Sequence, residues 1–190
     1  MASPRPFLEL SVAEWLDELA APDVAPGGGS AAALTVAMAA AVLTMSARVS
    51  GSGSAAAQAE TLRARATPLA QRDAEIYAAA LAVRETVAEL TPERRDWQIG
   101  QAFARAAELP LEITRTGADV AELAAEIAQV GDPLVRADAQ AAATLAAAGA
   151  RSAAALVAVN LTAVEDDARV AEAERLAQAA EESSARARAG

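Results

Sequence analysis

The sequence predicts an all-α protein, a bundle of roughly six to eight helices built around an alanine-rich central helix. Two observations carry this. Apolar residues make up 54% of the 190-residue chain but aromatic ones only 3%, and alanine supplies most of the apolar share, which favours helix and leaves few strand formers. No stretch alternates apolar and polar residues as a strand would. Small side chains also let helices approach closely, so the bundle is expected to be tight. The length fits one domain over residues 1–190, with residues 1–9 as an N-terminal extension and about 167–190 as an exposed C-terminal helix.

Taken in order, Ser11-Val12-Ala13-Glu14 is a capping box that opens a helix over Val12 to Ala20. Its Val12, Trp15, Leu16 and Leu19 share one face, and Trp15 is expected in the core. Pro26-Gly27-Gly28-Gly29-Ser30 follows, with Ser30 as the expected cap of a helix from about Ala31 to Val49 that is apolar almost all round. Residues 55–90 are helical again, interrupted at Pro68. Thr91-Pro92 starts a helix to about Glu108, and Leu109-Pro110 one to about Val130. Gly131-Asp132-Pro133 ends that helix. The last third reads as one or two long helices with Gly149 as a candidate break, and after Asp166 the large apolar residues thin out while charges alternate.

Composition removes several chemistries. Cysteine and histidine are absent and all 16 basic residues are arginine, which leaves no thiolate, imidazole or lysine for catalysis or metal binding. Acid–base work must fall to Asp, Glu, Tyr, backbone groups or the substrate itself. The net charge of −10 argues against binding a phosphate backbone, so no nucleic-acid partner is expected. Residues 1–9 carry no sustained apolar region, and a cytoplasmic protein is the expectation. Ala31 to Ala47 is too short and too weakly hydrophobic for a membrane span, and no membrane association is expected.

The glycine run stands out because successive glycines allow positive φ and remove every Cβ from the path of a ligand or a neighbouring helix. Beside a helix N-terminus it reads either as an anion or carbonyl cradle or as a plain interhelical turn. The surrounding motifs favour the first. From about Leu10 to Leu161 the chain resembles the formiminotransferase-cyclodeaminase C-terminal family, which contains formimidoyltetrahydrofolate cyclodeaminases and methenyltetrahydrofolate cyclohydrolases. The resemblance rests on Ser11 to Ala20, on Pro26 to Leu34, on Asp73-Ala74-Glu75-Ile76-Tyr77, on Leu109-Pro110-Leu111-Glu112, on Gly131-Asp132-Pro133 with Ala137-Asp138-Ala139, and on Val159-Asn160-Leu161.

This resemblance implies an all-helical homodimer that binds a folate beside the glycine loop. It implies a lyase that closes the ring of a 5-formimidoyl group with loss of ammonia, or a hydrolase that opens a 5,10-methenyl bridge, with no metal and no cofactor beyond the tetrahydrofolate substrate. Where the family carries Leu-Pro-Lys this chain has Val83-Arg84-Glu85-Thr86, and the family's Asn-Val-Arg-Ile-Asn reads Leu156-Val157-Ala158-Val159-Asn160. A catalytically inactive ligand-binding or assembly protein of the same family is therefore the alternative.

Asp138, at a helix start, is the first candidate for the acid–base group, with an N-terminal cap as its alternative role. Asp73 is the second, and Tyr77 lies four residues on, on the same helix face. Gly27, Gly28, Gly29, Ser30 and Tyr77 are the candidate substrate-binding residues. Asn160 lies 22 positions beyond Asp138, about 33 Å along an unbroken helix, which makes it a structural residue or one at a dimer interface. Arg48, Arg84 and Arg136 could hold a carboxylate in fork geometry, or simply be solvated.

Overall fold

The computed structural model describes residues 5–23, 25–164 and 166–189. Among them are eight α-helices and two short 3₁₀ turns, and no strand. The helices are α1 (Val12–Ala20), α2 (Gly28–Val49), α3 (Gly53–Ala66), α4 (Leu69–Thr86), α5 (Pro92–Ala106), α6 (Glu108–Val130), α7 (Arg136–Asn160) and α8 (Ala168–Ala189). The all-α expectation holds, and most boundaries fall within a few residues of the sequence reading.

The centre of the bundle is α2, α6 and α7. Helix α7 packs against α2, α6 and α8, while α3 lies along α2, and α4 and α5 close one end. The core is correspondingly made mostly of alanine, with Leu43, Leu69, Ile113 and Ile127 among its larger members and Val36 and Val120 intermediate in size. Close approach is possible because two glycines omit side chains at the crossing. A Cβ on Gly149 of α7 would lie 2.7 Å from Val36 Cγ2 and 3.2 Å from the Ala32 carbonyl oxygen. A Cβ on Gly117 of α6 would lie 3.0 Å from the Ala146 carbonyl oxygen and 3.2 Å from the same Val36 methyl. Gly149 thus does not break α7; the helix runs through it because the glycine is required for packing.

Two further expectations need correction. Helix α8 is docked and not an exposed terminal helix: Ala173, Ala177, Ala180, Ser183, Ser184 and Ala187 are buried. Its alternating charges tie it down, through Arg151 to Glu174 and Glu181, each at 2.7 Å, and through Arg115 to Glu172. The buried stripe consists of alanine and serine, which a search for large apolar residues passes over. Trp15 is half-buried outside the core, stacked on Phe7 with ring centroids 4.8 Å apart. Helix α1 has its capping box but buries no residue, and the arm before it is tied to α4 through the Phe7 backbone N–H, which donates to Gln71 Oε1. Trp97 is exposed as well.

Helix α2 and the segment Pro133–Asn160 are long and apolar enough to cross a membrane by composition. Helix α2 buries 61% of its most apolar stretch inside the fold, and its Thr44 and Ser46 hydroxyls donate within the helix to the carbonyls of Ala40 and Val42. Its hydropathy is that of a central core helix.

The Gly149 notch generates a test. Gly149→Ala gains about 1 kcal/mol of helix propensity but forces an overlap that costs about 1–3 kcal/mol. The variant is expected to lose about 1 kcal/mol by urea denaturation, and Val36→Ala in the same chain should recover that loss in a double-mutant cycle.

Candidate functional site

The glycine loop meets α4 and the end of α7 in a cleft. Its inner part, a cavity of about 150 Å³, is lined by Gly27, Gly28, Gly29, Asp73, Tyr77 and Asn160, with Ala25, Ala74, Pro110, Leu156 and Val159 as its apolar walls. An outer part of about 440 Å³ shares Tyr77, Val159 and Asn160 with it and extends to Arg84, Asp96 and Phe103. The outer chamber alone is within the usual size for a small-molecule site.

The local structure of the loop differs from the sequence expectation in two ways. Helix α2 begins at Gly28 and not at Ala31, so Ser30 lies inside the first turn and does not cap it. Gly27 is the N-cap and has no side chain to offer. The cap comes from another helix: the Asp73 carboxylate of α4 accepts from the Ser30 backbone N–H, and its Oδ2 lies 3.5 Å from the Ser30 hydroxyl. That hydroxyl donates to the Ala70 carbonyl oxygen at 2.8 Å, which fixes the α2 terminus to α4. Secondly, none of the three glycines has positive φ; Gly51 alone does among the described glycines. Gly29 is required for space, since a Cβ there would overlap all three atoms of the Asp73 carboxyl group.

An internal carboxylate therefore occupies the α2 N-terminus where an anionic ligand would bind. This overturns the anion-cradle reading and reverses the electrostatics of the site, which now suits a cation or an N–H donor. Burial pushes the Asp73 carboxyl up to about 6, against the opposing pull of the Ser30 hydroxyl and N–H. A carboxyl at that value can give and take a proton near neutral pH.

Of the candidate residues, Gly27, Gly28, Gly29, Asp73 and Tyr77 line one cleft, and Ser30 is buried behind Asp73. Tyr77 packs its ring edge against Phe103 at 6.0 Å. Asp138 is not among the lining residues. It is exposed in the first turn of α7, six residues past Asp132, whose N–H donates to Ser50 at the far end of α2. Helices α2 and α7 run antiparallel, so the length of α2, about 33 Å, separates Asp138 from the glycine loop within one chain. Of the three arginines, Arg84 alone lines the cleft, at its mouth, with its guanidinium 5.3 Å from the Phe103 ring centroid.

Asn160, read from the sequence as a structural or dimer-interface residue, lines this cleft. The helix-length argument set it apart from Asp138, and it holds; but the cleft lies at the Asn160 end. The signal available was its place in the Val159-Asn160-Leu161 motif.

A family model described as formiminotransferase-cyclodeaminase matches residues 11–179. Among solved structures the chain is similar to a formiminotetrahydrofolate cyclodeaminase from Thermotoga maritima, with a TM-score of 0.79 and 23% identity over 96% of each chain. A search of curated proteins finds no match.

The burial of Asp73 has a measurable sign. Its folded value lies above its ordinary 3.8, so its contribution to stability is fully present below about pH 4 and is lost as pH rises through 6. Relative to Asp73→Asn, the wild type is expected to lose about 2–3 kcal/mol between pH 4 and pH 7. Urea denaturation of both proteins across that range measures it; a difference that stays constant with pH would contradict this account of the site.

Proposed function

The chain belongs to the formiminotransferase-cyclodeaminase family, and we propose that it is a one-carbon folate enzyme that closes the ring of 5-formimidoyltetrahydrofolate and releases ammonia. The observation that carries this reading is the Asp73 carboxyl, buried at the glycine loop with no cationic side chain among the described residues that line the inner cleft. A formimino group is an amidine, cationic when protonated, and such a carboxylate is its natural counter-charge.

In the proposed reaction the N10 amine attacks the amidinium carbon and forms the new C–N bond. The proton shed by N10 passes to the exocyclic nitrogen through Asp73, which accepts it as carboxylate and returns it as acid. The C–N bond to that nitrogen then breaks, ammonia departs, and the positive charge remains on the 5,10-methenyl product. The glycine loop holds Asp73, Tyr77 walls the cleft, and Arg84 at the mouth is suited to an anionic tail. Hydrolysis of the methenyl bridge would use the same carboxyl group with water in place of nitrogen. Cyclodeamination is preferred because the inner cleft offers an acceptor for N–H donors.

A homodimer is part of the proposal. The chain exposes 9988 Å², whereas a compact monomer of 19.2 kDa exposes about 8,400 Å². Exposed Met38 and Met45 on α2 and Leu145 on α7 are apolar surface available for a second copy. Light scattering at micromolar concentration should give twice the chain mass.

Turnover is followed by the absorbance of the methenyl product and by ammonia released in equal amount. Asp73→Asn is expected to lower kcat by about 10²–10⁴-fold, and wild-type kcat/KM should fall as pH drops below 6, where Asp73 is protonated. Absence of wild-type turnover with either the formimino or the methenyl substrate would leave the non-catalytic reading in its place.

A further inference from the structure

Asn160 ends α7 and is 8% exposed, although it lines both chambers of the cleft. Among the described residues its carboxamide has no hydrogen-bond partner. Its polar atoms are not sealed inside the fold but face the cleft, where water or a ligand can pair with them. Its neighbours in the cleft wall explain why none is present: Leu156 and Val159 are apolar, Pro110 offers no N–H, and Asp73 is engaged with Ser30. None of the described residues pairs with the Asn160 carboxamide.

We infer that Asn160 is a substrate-contacting residue whose carboxamide oxygen accepts an N–H of the substrate's amidine group, as a second acceptor beside Asp73. The inference rests on the cyclodeaminase reading and assigns the amidine end of the substrate to the inner chamber. A protonated amidine has N–H donors on one planar edge, and two acceptors are needed to satisfy that edge once water is excluded. The carboxamide's own N–H groups remain for the neighbouring ring. Asn160 in this role fixes the plane of the amidine for attack, while Asp73 moves the proton.

The signature is an opposite response of stability and activity. Asn160→Leu replaces a cleft-facing amide with an apolar group of similar shape, a change that breaks no hydrogen bond among the described residues. The ligand-free variant should therefore melt at or above the wild-type temperature. Its kcat/KM for the formimino substrate should fall about 10- to 100-fold, since the substrate's N–H is then buried without a partner. A structural role for Asn160 would move these two measurements in the same direction.

Asn160→Ser, which is smaller and keeps a hydroxyl, is made alongside and should show the same kinetic loss. An active wild type with kcat/KM within twofold in both variants overturns the assignment and leaves the cyclodeaminase reading standing. Failure of both variants to fold, or melting temperatures depressed by many degrees in both, makes Asn160 structural and also overturns it. An inactive wild type removes the reading and this inference together.

Discussion

Val36 sits between two missing side chains, and the bundle is arranged around that fact. Gly117 on α6 and Gly149 on α7 leave a notch that a single valine methyl fills from α2, so three helices meet at a distance no larger residue would permit. With alanine as the main building block there are few bulky side chains to define the packing by shape, and definition comes instead from where backbone meets side chain. The same constraint makes α7 continuous through Gly149 and sets α2 antiparallel to it.

That alignment determines the site. Because α2 and α7 are antiparallel neighbours, the N-terminus of one lies beside the C-terminus of the other, which brings the glycine loop to Leu156 and Asn160. Helix α4 then delivers Asp73 across the gap. The carboxylate caps a helix that has only glycine at its N-cap, and the glycine at Gly29 exists to make room for it. Structure and chemistry are thus the same contact: the group that ends α2 is also the titratable group of the cleft. Its burial is a cost carried by the fold, of the kind concentrated at working sites.

Much of this was legible in the chain. The Ser11 capping box, Pro68 and Pro92 mark helix boundaries through local backbone chemistry, and they fell where expected. The glycine run was recognisable as a place of close approach, and Asp73 and Tyr77 as one helix face pointing at a common target. The docking of α8 was not legible, because a stripe of alanines reads as weakly apolar until other small residues are set against it. Nor was the place of Asn160 in the cleft, which exists only once the end of α7 is packed beside the glycine loop.

By itself the sequence determined the helical class, the limits of the elements and the restricted chemistry: with no histidine, lysine or cysteine, a carboxyl group was left as the main acid–base candidate. Those are local or compositional properties, set by residues within a few turns of one another. Which carboxyl group, and what it faces, was decided by the tertiary structure. Asp138 and Asp73 are equivalent as entries in a chain, each on a helix and each near a family-like motif. Only the antiparallel packing of α2 and α7 carries Asp138 to the far end of the bundle and seals Asp73 against the glycine loop, and it is burial, against the opposing pull of the Ser30 hydroxyl and N–H, that raises the Asp73 carboxyl to about 6.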